Sequence, residues 1–291
     1  MKFIPLNILI ITMLCINGQA QKLTKTELKI IDKVKASHEE SVDFLEKVVN
    51  INSGSLNLAG VREVGDVSSN AFDTIGFETR WIDMPQEMNR AGHLFASIKG
   101  KKGKKLLLIG HLDTVFEENS PFQTFERRDS IAFGPGANDM KGGNVVMLYA
   151  LKALYELNLL KKAAITVAFT GDEESTGKPL SISRKDLIDA GKEADIALGF
   201  ETSTGFDNAT VARRGSSGWR VETEGIRAHS SGVFNERVGA GAIFEMSRIL
   251  NTFYEQVRGE EYLTFNPGTL LGGTFVDFDK QTSSGEVFGK S

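Results

Sequence analysis

The run Leu106-Leu107-Leu108-Ile109 restricts the fold more than any other segment of the chain. Consecutive aliphatic side chains on a strand point to both faces, so both faces need cover. That is the setting of a central strand in a sheet with helices on either side. Ala163 to Thr170 is another buried strand, and Ala194 to Phe200 a third with little polar content. Between the first two, Gly142 to Leu157 sets Val146, Ala150, Leu151 and Leu154 on one helical face; Arg184 to Ala190 is a short helix. Phe77 to Ile82 and His93 to Ile98 alternate as strands, the latter leading through a Gly-Lys turn into the central run. Strands alternating with helices imply an α/β fold with a largely parallel sheet.

Before this region, Thr24 and Glu27 form a capping box for a helix carrying Leu28, Ile31 and Val34, then Val42, Leu45, Val48 and Val49. Asn52 to Leu58 is a polar, Gly-bearing loop. Beyond Val211 the texture changes. Ser216 to Glu224 alternates as a one-sided strand, and Val238 to Tyr254 is an amphipathic helix. Leu263 to Leu271 and Thr274 to Phe278 are further strands. The expected division is residues 21–212 for the first domain and 213–291 for a second.

Residues 1–20 are expected to be a cleavable signal. Lys2 precedes an apolar stretch from Phe3 to Ile16, and small residues lead to a cut after Ala20. The stretch is shorter than the roughly 20 apolar residues of a membrane span, so no stable membrane anchor is expected. The mature protein is then secreted or periplasmic. Cleavage removes Cys15, the only cysteine, which excludes disulfides, zinc-thiolate sites and a cysteine nucleophile. The formal charge is −4, and the only basic run is Lys101-Lys102-Gly103-Lys104-Lys105, a solvated turn; nucleic acid is not an expected partner.

Chemistry-bearing groups collect just after the strands. Gly110-His111-Leu112-Asp113 follows the central run, Gly171-Asp172-Glu173-Glu174 follows the second, and Glu201 follows the third. In open α/β sheets ligands bind where loops converge at the carboxyl ends of strands. His111 offers a neutral nitrogen to a divalent metal. Asp113 lies on the same side of an extended segment and can accept the other ring N–H. Asp139, after the Gly134-Pro135-Gly136 loop, has two oxygens that can bridge a pair of metals, with Glu174 and Glu201 as terminal ligands. Such a set suits zinc, with cobalt or manganese possible. Glu173 is left over as a general base.

The motifs His111-Leu-Asp113-Thr, Gly136-Ala-Asn-Asp139-Met-Lys-Gly-Gly143 and Asp172-Glu173-Glu174, with Glu201 after its strand, resemble those of the M20 zinc metallopeptidases. The likeness is to glutamate carboxypeptidases of the carboxypeptidase G2 type. It implies a zinc-peptidase-like mixed, largely parallel sheet with an inserted α+β lid and dimerisation domain. It also implies two zincs: one on His111 and Glu201, one on Glu174, with Asp139 bridging. Asp113 would orient His111, and Glu173 would activate water. Arg227-Ala228-His229-Ser230-Ser231-Gly232 is similar to the lid motif whose His polarises the scissile carbonyl, in dimeric relatives across the subunit boundary.

One departure stands out. The family's second zinc also takes a His from near the C-terminus of the catalytic domain, and neither His38 nor His93 matches it. The resemblance therefore implies an incomplete lid and a fragment or truncated chain with impaired activity and a weak second metal. Three readings follow: a secreted hydrolase of a C-terminal peptide or N-acyl amino acid amide bond, releasing glutamate in the carboxypeptidase version; an aminoacylase or desuccinylase-type amidohydrolase; or a non-catalytic truncated product.

Overall fold

The computed structural model describes residues 22–205, 207–279 and 284–289; the expected signal lies outside them. The chain forms two compact units that divide between Asp207 and Asn208.

The first unit opens with α1 (Lys25–Ala36) and α2 (His38–Val49). The Thr24–Glu27 capping box is present in both directions. The expected single helix breaks at Ser37, whose backbone N–H is shared between the Lys33 and Val34 carbonyls and whose hydroxyl bonds back to the same two. A loop then leads into α3 (Leu58–Thr74), a helix not assigned from the sequence. Its core face carries Val61, Val64, Ser68 and Phe72. Glycines on that face are packing devices: a Cβ on Gly60 would lie 1.8 Å from the Asn52 carbonyl oxygen, and one on Gly65 would lie 2.3 Å from the Trp81 ring.

The strands are β1 (Glu78–Ile82), β2 (His93–Lys99), β3 (Lys102–His111), the small pair β4 (Glu126–Arg128) and β5 (Ile131–Phe133), β6 (Ala163–Thr170) and β7 (Ile196–Gly199). The main sheet is five-stranded in the order β1-β2-β6-β3-β7. β6, β3 and β7 are parallel, and β2 alone runs the other way. The Gly-Lys turn therefore joins strands that are not neighbours, because β6 inserts between them. The helix α4 (Lys141–Glu156) follows the glycine-rich loop, and α5 (Leu180–Ser183) and α6 (Lys185–Glu193) precede β7. Leu108 faces the larger core with Phe72, Leu148 and Phe169, while Leu107 faces a smaller one with Phe95 and Ala168. Both faces of β3 are thus covered, and its carboxyl end delivers His111.

In the second unit, α7 (Ala242–Gln256) lies against extended chain, with Phe253 edge-on to Trp219 and Phe265. β8 (Phe275–Asp279) pairs antiparallel with β9 (Ser284–Phe288). The alternating segments 216–224 and 263–271 are not strands. Alternation makes a strand only when a neighbour completes the hydrogen-bond ladder, and these segments show no ladder partner among the described residues. No helix among the described residues is long and apolar enough to cross a membrane.

Candidate metal centre

β3 ends at His111, whose ring is almost fully buried. Its Nδ1–H donates to the Asp113 carbonyl oxygen at 2.9 Å, while the Asp113 carboxylate lies 3.5 Å away. Backbone and side chain of Asp113 thus both face Nδ1, the carbonyl oxygen at the shorter distance. That leaves Nε2 facing Asp139 Oδ1 at 3.1 Å and Glu201 Oε1 at 3.6 Å. His111, Asp139 and Glu201 form one group whose ligand atoms lie within 4.8 Å of one another; His111, Glu173 and Glu174 form a second. The fold therefore brings together every sequence-predicted residue of the first unit around one imidazole. His229 belongs to the second unit, where it caps a short 3₁₀ turn and bonds through Nδ1 to Ser231.

The Asp113 carboxylate has further partners besides His111. Buried completely, it accepts from the Ser55 hydroxyl at 2.6 Å and from the Glu173 and Glu174 backbone N–H groups at 2.9 and 3.0 Å. It clamps the acid-bearing turn to the His111 segment. Burial pushes Asp113 upward, but the His111 and Ser55 hydrogen bonds outweigh this and hold it below the usual range.

Local sequence explains how the ligand segments approach. A Cβ on Gly143 would lie 2.0 Å from the Phe200 carbonyl oxygen, and one on Gly142 would lie 2.3 Å from that of Ala137. The paired glycines let the start of α4 press against the residue before Glu201. Asn138 donates to Thr202 Oγ1, so the residues beside Asp139 and Glu201 are tied directly. Buried Lys141 donates to the Val48 and Ile51 carbonyls and anchors the chain leading to Ser55. Asn144 donates to the His111 carbonyl from α4. Ser55, Lys141 and Asn144 gave no signal in the sequence as site residues.

A search of family models matches residues 107–278 to "Peptidase family M20/M25/M40". The chain belongs to this family. Carboxypeptidase G2 of Pseudomonas sp. (strain RS-16) is 32% identical over 215 residues, 72% of this chain and 49% of that protein. A probable succinyl-diaminopimelate desuccinylase of Staphylococcus aureus (strain MRSA252) is 28% identical over 76% of this chain and 52% of its own length. The chain thus spans about half the length of the curated relatives it matches. Human carnosine dipeptidase 1 shares the fold at a TM-score of 0.51 and 19% identity, over 59% of this chain and 40% of that one.

An M20 metallopeptidase implies bound metal, and the donor set here fits one. Burial lowers His111, yet the hydrogen bond and charge of Asp113, with Glu201 and Glu173, raise it to about 9. Burial and the neighbouring Asp139 raise Glu174. Carboxylates crowded around one imidazole repel each other unless a cation sits among them. Imidazole and carboxylate donors with no thiolate suit zinc, and also cobalt or manganese.

Proposed function

We propose that this chain carries the catalytic carboxylates of an exported, zinc-dependent hydrolase that cleaves a C-terminal peptide or N-acyl amino acid amide bond. The observation that carries the reading is the convergence of His111, Asp139, Glu173, Glu174 and Glu201 at the carboxyl end of β3 and its neighbours. His111, Glu201 and Asp139 would hold one zinc, and Glu174 with Asp139 a second. Bound metal would supply a Lewis acid and lower the pKa of water.

The protein's own residues do the proton work. Glu173 takes a proton from the attacking water as its oxygen bonds to the carbonyl carbon. As the C–N bond breaks, Glu173 returns that proton to the leaving nitrogen. Asp113 keeps the Glu173 backbone in register with His111 throughout, through the hydrogen bond to its N–H. His229 is proposed to polarise the scissile carbonyl, in a homodimer from the partner subunit, with the second unit serving as lid and dimerisation surface. The similarity to carboxypeptidase G2 favours release of a C-terminal glutamate; the similarity to a desuccinylase favours an N-succinyl amide as the second reading.

The test compares wild type and Glu173→Gln in the full-length protein, supplied with zinc, on N-acyl glutamates and N-succinyl amines. The variant should bind zinc as wild type does and lose about 10²–10⁴-fold in kcat, the usual scale of general-base loss. If the variant loses zinc instead, Glu173 is a ligand and the roles of Glu173 and Glu174 exchange.

A further inference from the structure

The turn that carries Glu173 and Glu174 is held on a second side by His93, Asp172 and Arg184. His93, on β2, is fully buried. The Gly171 N–H donates to its Nδ1 at 3.1 Å, so Nδ1 carries no proton. Its Nε2, at 2.8 Å from the Ser183 carbonyl oxygen, is then the protonated nitrogen and donates there. One imidazole thus ties Gly171, just after β6, to Ser183, the last residue of α5.

The middle of the excursion is organised around Asp172. Its side chain is fully buried and accepts from the Gly177 N–H at 2.9 Å, from the Ser183 hydroxyl at 2.7 Å and from the Arg184 guanidinium. Arg184 also donates to the Asp172 carbonyl oxygen at 3.0 Å and to Thr176 Oγ1 at 3.1 Å. Arg90 holds Ser175 through both its carbonyl and its hydroxyl. Glu173 and Glu174 sit between this network and the Asp113 carboxylate, which holds their N–H groups.

We infer that His93, Asp172 and Arg184 are positioning residues that preform the Glu173–Glu174 turn, so that base and ligand carboxylates are aligned before any metal binds. The inference rests on the proposed roles of those two glutamates, but its geometry is independent of them. A buried carboxylate with a full set of donors and a buried imidazole with both nitrogens engaged have a single low-energy arrangement. The turn they define does not need a cation to hold it.

Amide hydrogen exchange of the full-length protein tests this without substrate. In the chelator-treated wild type, Glu173 and Glu174 amides should be as protected as in the zinc-loaded protein. His93→Phe removes both imidazole bonds at similar volume. It should speed exchange at Glu173 and Glu174 by about tenfold or more, the scale of one lost hydrogen bond, while core amides such as Leu107 and Val167 stay protected. Zinc affinity should fall with it. His93→Asn, whose side-chain oxygen can replace Nδ1 as acceptor for Gly171, should recover part of both. Should His93→Phe fail to fold, Arg184→Lys keeps the charge beside Asp172, gives up the Thr176 contact, and should show the same local loss in smaller measure. Loss of protection on chelation alone would overturn the inference, because the metal would then be what holds the turn. So would folded variants whose Glu173 and Glu174 exchange stays within about twofold of wild type. A protein that binds zinc but hydrolyses nothing would count against the proposed function and leave this test standing.

Discussion

Replacing Gly143 by alanine sets a local gain against a steric conflict. In an open helix, alanine is favoured over glycine by about 1 kcal/mol. At Gly143 the new Cβ would lie 2.0 Å from the Phe200 carbonyl oxygen and 3.3 Å from Met140 Cε. To restore ordinary contact, α4 or the Phe200 peptide must retreat by more than about 1 Å. Overpacking of this kind costs about 1–3 kcal/mol, which outweighs the propensity gain and leaves a net loss of up to about 2 kcal/mol. The larger consequence is at the adjoining Glu201. Ligand distances tolerate only about 0.2 Å, and misplaced supporting groups typically cost 10–100-fold in metal affinity. Gly191 in α6 is the internal control, since nothing lies within 4 Å of its Cβ position. Gly191→Ala should stabilise by about 0.5–1 kcal/mol and leave zinc binding unchanged. Chemical denaturation and chelator competition on both variants check the pair. If Gly143→Ala behaves like Gly191→Ala in both assays, the close approach of α4 to Phe200 does not position Glu201.

Two further outcomes are expected, one from His111 and one from the proposed role of His229. With His111 raised to about 9, the metal-free ring is protonated at pH 7, so zinc must displace that proton. Calorimetry in two buffers of different ionisation enthalpy should show about one proton released per zinc, with affinity falling about tenfold for each pH unit below 9; no release would mean a neutral ring in the metal-free protein. If His229 polarises the scissile carbonyl as proposed, His229→Ala should lower kcat by roughly 10²–10³-fold with zinc content unchanged, and a verified mixed dimer of His229→Ala and Glu173→Gln chains should recover activity if His229 serves the partner site. Absence of recovery refutes the cross-subunit role.

The convergence of these side chains was legible in the sequence because they close a strand or follow one: His111 ends β3, Glu173 and Glu174 follow β6, and Glu201 follows β7. The pattern of apolar runs likewise gave the parallel strands. What holds the site was not legible, because its partners are remote along the chain. Ser55 meets Asp113, His93 meets Ser183 and Arg90 meets Ser175 only after the sheet is ordered with β6 between β2 and β3. The helix α3 escaped for a local reason. Gly60 and Gly65 weaken helix propensity where close packing against Asn52 and Trp81 requires no side chain, and the Ser68-Ser69-Asn70 run weakens it further. Asp113 shows what spacing leaves out: two positions after His111 it reaches the ring, but nothing local announces that its carboxylate also accepts from backbone N–H groups in the loop after β6.

Anomalous diffraction at the zinc absorption edge, from crystals of the full-length protein grown with zinc, tests the central claim most directly. The account predicts a peak bound by His111 Nε2, Asp139 and Glu201, and a second one beside Glu174. Zinc located away from His111 at saturating metal, or no peak at all, would contradict it.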